Sequence, residues 1–160
     1  MKPTVIVILG QTATGKSNLA VKMSKALAVS EVESEIISAD SRQVYKGLDI
    51  GTGKISVKEM RSVPHHLLDV VNPKHKFSVA EYQKLAISAM ADITKRGKIP
   101  IICGGTGLYL DAITKGVVFP EVPPNLKLRK ILEKKSAIEL FKILKKLDSR
   151  RAKDIKEKLE

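Results

Sequence analysis

The sequence predicts an α/β fold: a largely parallel sheet flanked by helices and followed by a short helical segment. Three observations predict it. Short apolar runs alternate with longer stretches of helical periodicity, as in layered strand and helix folds. The first run, TVIVIL (Thr4 to Leu9), is continuous and β-branched, the pattern of a strand buried on both faces of a parallel sheet. It closes on Gly10-Gln11-Thr12-Ala13-Thr14-Gly15-Lys16-Ser17, which matches G-x-x-x-x-G-K-[ST] between strand and helix and reads as a P-loop.

The elements follow in order. A helix is expected over Lys16 to Ala28, with Leu19, Met23, Ala26 and Leu27 on one face. Glu35 to Ala39 reads as a second strand, and His65 to Val71 (HHLLDVV) as an extended segment. Between them, glycines at 47, 51 and 53 mark a loop with one short helix, announced by the capping-box spacing Ser56-Val57-Lys58-Glu59. The same spacing at Ser78-Val79-Ala80-Glu81 starts a longer helix. Tyr82, Ala86, Ala89, Met90 and Ile93 share a face of it, and Gly97 stops it. Ile99 to Cys103 (IPIIC) is a third buried strand, broken by Gly104-Gly105 and followed by a helix over Gly107 to Thr114. Tyr109 and Cys103 are expected in the core.

Phe119 to Pro124 is proline-rich and suits a boundary, because proline continues neither helix nor ladder. The reading is therefore a P-loop α/β core over 1–124 and a basic helical segment over 125–160. That segment carries amphipathic stretches at Leu126 to Lys135, Ile138 to Leu147 and Ala152 to Leu159, the last capped by Asp148 or Ser149.

Composition narrows the function. A chain of 160 residues, 43% hydrophobic, supports one packed domain with an appendage. No apolar run is long enough to cross a bilayer, and Thr4 to Leu9 is too short for a signal peptide, so a cytoplasmic protein without membrane contact is expected. One cysteine, Cys103, excludes an internal disulfide framework and leaves no zinc-ligand spacing. The net charge of +12, of which residues 125–160 carry +7, predicts attraction to polyanions, nucleic acid first. A solvated helical face is the competing reading.

In the P-loop, glycines let the backbone aim its N–H groups inward and the helix N-terminus adds positive potential. Lys16 neutralises phosphate oxygens, and Ser17 can hold magnesium. This fixes a di- or triphosphate as ligand, not its fate. Two acidic candidates, Asp40 and Asp69, end or interrupt apolar runs, while IPIIC ends in glycines, so a standard ATPase or GTPase lacks its strand-end carboxylate. Asp40 itself reads as a metal ligand, a base or a turn residue. Three polar clusters follow predicted strands: the P-loop, Asp40-Ser41-Arg42-Gln43, and Gly104-Gly105-Thr106-Gly107. Strand C-termini of a parallel sheet share one edge, so all three can face one site. Thr106 could act there or simply cap the helix after it.

The segments GQTATGKS, ADSRQVYKGLDIGTGK, HHLLDVV, FSVAEYQ and GGTGLYLDAITKG, in this order and at these separations, closely resemble the tRNA dimethylallyltransferases, also called tRNA isopentenyltransferases. The resemblance spans Val5 to Gly116 and continues more loosely through Pro123-Pro124, Arg129 and Leu147-Asp148. It implies transfer of a dimethylallyl group from dimethylallyl diphosphate to the N6 amine of the adenosine 3′ to the anticodon in tRNA, with release of diphosphate. It places Gly10 to Ser17 around the diphosphate, Ser17 on Mg2+, Asp40 as base toward the amine and Ser41 to Gln43 on the adenosine and its neighbours. Thr106 falls on the bridging phosphate oxygen and Arg129 on the diphosphate. The paired His65 and His66 are read as structural or channel-lining. The partners implied are a tRNA anticodon stem-loop and the prenyl donor, and a monomer is expected. Family members are considerably longer, so the chain is expected to be a fragment with donor site and base but an incomplete tRNA platform. Two alternatives stand beside this: a sister enzyme acting on free adenosine phosphates, and a catalytically incompetent phosphate- or RNA-binding remnant.

Overall fold

The computed structural model describes residues 4–119, 122 and 125–155. The chain divides into two compact units, Met1–Phe119 and Pro120–Glu160. Most of the proline-rich link, Pro120, Glu121, Pro123 and Pro124, lies outside the described residues.

In the first unit, β1 (Ile6–Leu9), β2 (Ser34–Ser38), β3 (His65–His66) and β4 (Ile99–Gly104) form one sheet in the order β1-β4-β2-β3. All pairings are parallel, with Ile8 beside Cys103, Ile36 beside Ile101 and Ile36 beside His65. The helices are α1 (Lys16–Val29), α2 (Val57–Met60), α3 (Val79–Lys95) and α4 (Gly107–Thr114). Both predicted capping boxes are formed, at Ser56 with Glu59 and at Ser78 with Glu81. Strand alternation sends β2 and β4 side chains to opposite faces. Ile37 and Ile102 pack with Tyr82 and Ala86 of α3 and with Tyr109 and Leu110 of α4. Ile36, Ile101 and Cys103 pack with Ala20 and Val21 of α1 on the other face. The Tyr82 and Tyr109 rings stack with centroids 3.8 Å apart, so Tyr109 and Cys103 are core residues, as expected.

Three expectations are corrected in this unit. Strand β1 is not buried on both faces. Among the described residues it is one of the two sheet edges, and Val7 and Leu9 are 44% and 62% exposed. The buried face of α1 is Ala20, Val21 and Ser24, with Met23 and Leu27 beside it, while Leu19 is exposed. The small residues let α1 approach β2 closely enough for Ser34 Oγ to donate to Ser24 Oγ at 2.9 Å. HHLLDVV is not extended throughout, because Leu67 (φ 62°) and Asp69 (φ 54°) are left-handed. Pairing stops after His66 and resumes as one bridge between Tyr45 and Val71.

The second unit holds α5 (Leu126–Leu132), α6 (Ala137–Leu147) and α7 (Ser149–Asp154). Asn125 caps α5 through the Leu128 amide at 2.9 Å, and Ser136 with Glu139 forms a third capping box, which the sequence reading missed. Helix α5 stops three residues short of Lys135. Helix α7 starts at Ser149 rather than Ala152, because Asp148 accepts from the Arg151 amide at 2.9 Å and fixes the start. Residues 156–160, the expected end of this helix, lie outside the described residues. Among the described residues, no helix is long and apolar enough to cross a membrane.

Candidate active site

The P-loop closes on itself. Ala13 (φ 64°) and Gly15 (φ 80°) are left-handed, Thr14 Oγ1 donates to the Gln11 carbonyl at 2.8 Å, and the Lys16 ammonium donates to the same carbonyl. Gly15 occupies the N-cap of α1 with no side-chain cap, and no acidic residue lies in the first turn. The leading amides of α1 and its positive end therefore stay available to an anion.

The order β1-β4-β2 sets the C-terminal ends of these strands side by side. The Ala39 amide donates to the Cys103 carbonyl at 2.8 Å and the Thr106 amide to the Ala39 carbonyl at 3.1 Å. A Cβ on Gly104 would lie 2.1 Å from the Ala39 oxygen, so only glycine permits this approach. Asp40 Oδ1 accepts from the amides of Arg42, at 2.8 Å, and Gln43, at 3.3 Å, which makes an Asx turn. Its Oδ2 has no hydrogen-bond partner among the described residues. Thr106 sits at the N-cap of α4 but its side chain does not cap. Instead Oγ1 accepts from the Ser41 amide at 3.0 Å and donates to Ser41 Oγ at 3.3 Å.

Gln43 Nε2 donates to the carbonyls of Thr52, at 3.4 Å, and Gly53, at 3.3 Å, tying the site to the 49–54 loop. Lys54 anchors that loop. Its side chain, 4% exposed, donates to the Tyr45 carbonyl at 2.8 Å and pairs with Asp49 and Asp69. Asp69, the other acidic candidate, is thereby committed to Lys54 and to the Gly47 amide, and is not among the residues that line the cavity.

A cavity of about 350 Å³ joins these parts. Of the residues the sequence reading singled out, Thr12, Ala13, Gly15, Lys16, Ser17, Asp40 and Gln43 line it. Gly10, Gln11 and Thr14 shape the loop behind it. Ser41 is held by Thr106, and the Arg42 side chain is exposed. Arg129 is exposed on α5 of the second unit. Gly104, from the third polar cluster, also lines the cavity, as do Asn18, Thr52, Gly53, Glu59 and Cys103, which were not picked out as site residues. Thr52 and Gly53 lie in the GLDIGTGK stretch, which offered a signal; Glu59 offered only its capping box. Burial pushes the Cys103 thiol up to about 11 and holds His65 below the ordinary imidazole range, so neither is charged near neutral pH. Hydrogen bonds from Ser56 lower the Glu59 carboxyl. Among the described residues, no three His, Cys, Asp or Glu side chains cluster to hold a metal.

Residues 43–159 match the family model described as IPP transferase. The chain belongs to the IPP transferase family. Within the family, it is 49% identical to the tRNA dimethylallyltransferase of Anoxybacillus flavithermus over 92% of this chain and 46% of that protein. It is 45% identical to that of Acaryochloris marina over 92% of this chain and 47% of the other. Among solved structures, the tRNA isopentenylpyrophosphate transferase of Bacillus halodurans matches with a TM-score of 0.70 at 39% identity, covering 96% of this chain and 50% of that one. A eukaryotic dimethylallyltransferase acting on tRNA matches with a TM-score of 0.80 at 31% identity, covering 96% and 38%. This IPP transferase family chain thus spans about half the length of the curated relatives it matches.

Proposed function

We propose that the chain carries the donor site and the base for transfer of a dimethylallyl group from dimethylallyl diphosphate to the N6 amine of the adenosine 3′ to the anticodon in tRNA, with release of diphosphate. The observation that carries this reading is one cavity lined by both the P-loop and Asp40, in which the other lining carboxylate among the described residues, Glu59, is held by its capping box. A nucleotide hydrolase would need a second carboxylate that is free. A prenyl transfer needs only an anion cradle facing a base.

In this reading the amides of Thr12 to Ser17 and the Lys16 ammonium bind the diphosphate and take up the charge that gathers on it as it leaves. The family resemblance assigns Thr106 to the bridging oxygen, a role that requires its hydroxyl proton to turn away from Ser41 Oγ, and assigns Arg129 to the diphosphate. The Ser17 hydroxyl fits Mg2+, a hard cation that takes oxygen ligands and keeps waters and phosphate oxygens around it. Mg2+ would neutralise the diphosphate. Asp40 Oδ2 removes the amine proton as the nitrogen attacks, and Ser41 to Gln43 contact an adenosine that has left its stack. The relatives' names, as tRNA dimethylallyltransferases, support the substrate pair. A monomeric, cytoplasmic enzyme is part of the same proposal.

The test is transfer of labelled dimethylallyl from its diphosphate to an anticodon stem-loop. The unaltered chain is expected to label the RNA and Asp40→Asn to label it about 10²–10⁴ times more slowly. Equal rates would remove Asp40 from the chemistry. Labelling of AMP in place of RNA would move the reading to a transferase of free adenosine phosphates. Binding of donor without any transfer would leave the binding-remnant reading.

A further inference from the structure

His65 holds a buried polar atom that the proposed chemistry does not use. Its Nδ1 lies 2.8 Å from the Val63 carbonyl, which can only accept, so Nδ1 carries the ring proton and Nε2 is a lone pair. Nε2 is buried and has no hydrogen-bond partner among the described residues. Buried acceptors in folded proteins are almost always paired, with protein or with ordered water.

The surroundings indicate the partner. His65 stands beside Ile36 in the parallel register, which puts it on the face of the sheet that α1 covers. A cavity of about 20 Å³ there is lined by His65, Ser17, Ser38, Gln43 and Cys103 among others. That volume accommodates one water, and the lining supplies the polar partners a buried water needs. Ser17 also lines the large cavity, so one side chain joins the two. No carboxylate is among the described residues that line this small cavity, and Asp69 is committed to Lys54.

We propose that His65 is a positioning residue for the phosphate site. Its Nε2 accepts a hydrogen bond from one buried water, and that water accepts the proton of the Ser17 hydroxyl. A hydroxyl has one proton and two lone pairs. With its proton turned inward, Ser17 presents lone pairs to the large cavity, the orientation that favours a cation over direct donation to phosphate. A neutral imidazole thus does for Ser17 what a carboxylate could do, without adding negative charge beside a diphosphate. The inference rests on the donor-site reading of Ser17.

Two measurements on the full chain test it. Long-range proton–nitrogen correlation spectra of His65 need no ligand. They are expected to show Nδ1 protonated and Nε2 bare at pH 8, and a proton on Nε2 there would overturn the proposal. Calorimetry of inorganic pyrophosphate, with and without magnesium, reads the consequence. His65→Met is expected to weaken binding about tenfold in magnesium and to leave magnesium-free binding unchanged. His65→Gln, which keeps an acceptor near the Nε2 position, should stay close to the unaltered chain. Equal binding by His65→Met and the unaltered chain in magnesium overturns this inference alone. Equal loss with and without magnesium also overturns it, as a merely structural effect. If the unaltered chain binds no pyrophosphate under either condition, the donor-site reading falls and takes this inference with it.

Discussion

One oxygen of Asp40 accepts from the Arg42 and Gln43 amides, and the other has no partner among the described residues. Asparagine can keep the first arrangement while removing the base. Asp40→Asn is therefore expected to match the unaltered chain in urea denaturation to within about 0.5 kcal/mol, whereas Asp40→Ala loses the turn bonds and about 1 kcal/mol, as lost capping side chains do. Both should lose transfer to a similar extent; an active Asp40→Asn would assign Asp40 to the turn alone. The sequence left metal ligand, base and turn open, because all three put an aspartate after a strand. Thr106 shows the same limit. It occupies the N-cap of α4, which its position suggested, yet its hydroxyl is spent on Ser41, a residue 65 positions earlier. No local pattern could show that pairing.

At the scale of elements, β4 is where the sequence was most legible, since its continuous apolar run and terminal glycines point to a buried parallel strand. Gly104→Ala would force a methyl group against the Ala39 carbonyl, so it should cost about 3 kcal/mol or more in urea denaturation, while the exposed Gly105→Ala costs much less. What could not be read was sheet order: nothing local to TVIVIL marks it as an edge, and nothing in HHLLDVV marks Leu67 and Asp69 as left-handed. Nor did SEIIS announce a buried charge. Glu35, with a side chain 4% exposed, takes the Arg96 guanidinium on both oxygens, with His66 at 2.7 Å and Lys98 at 3.1 Å, tying β2 to β3, to β4 and to the end of α3. The Arg96 hydrogen bonds hold the Glu35 carboxyl well below the ordinary 4.5, against the opposing effect of burial. A depressed carboxylate contributes its full stability above its unfolded pKa and loses it as pH falls below. Stability should therefore decline steeply below about pH 4.5, and Glu35→Gln should both flatten that decline and cost about 2 kcal/mol at pH 7, with the surface-accessible Arg96 and Lys98 rehydrating in part. An acid limb unchanged in Glu35→Gln would show that other carboxylates set it.

At the scale of the whole molecule, charge is divided unevenly, with +7 of the net +12 in residues 125–160. The sequence showed this directly. It could not show whether the charge is a solvated face or a binding surface, because both produce exposed lysines on amphipathic helices. Lys142, Lys145 and Lys146 are exposed on α6, and the acidic partner in that helix, Glu139, is held by its capping box. If the proposed RNA substrate runs along this helix, each lysine on a phosphate releases about 0.7–0.9 of a counterion, and affinity falls with salt accordingly. Neutralising the three together, Lys142→Gln, Lys145→Gln and Lys146→Gln, should lower the slope of log affinity against log salt by about 2, measured by fluorescence anisotropy of a labelled anticodon stem-loop. Asp40→Asn, which acts on the adenosine and not on phosphates, should leave that slope unchanged. A slope unaffected by the three lysines would mean that α6 is a solvated face and that the charge serves solubility rather than RNA. In that case the salt dependence of the proposed RNA contact would come from other exposed cations, such as Arg42 or Arg150 and Arg151.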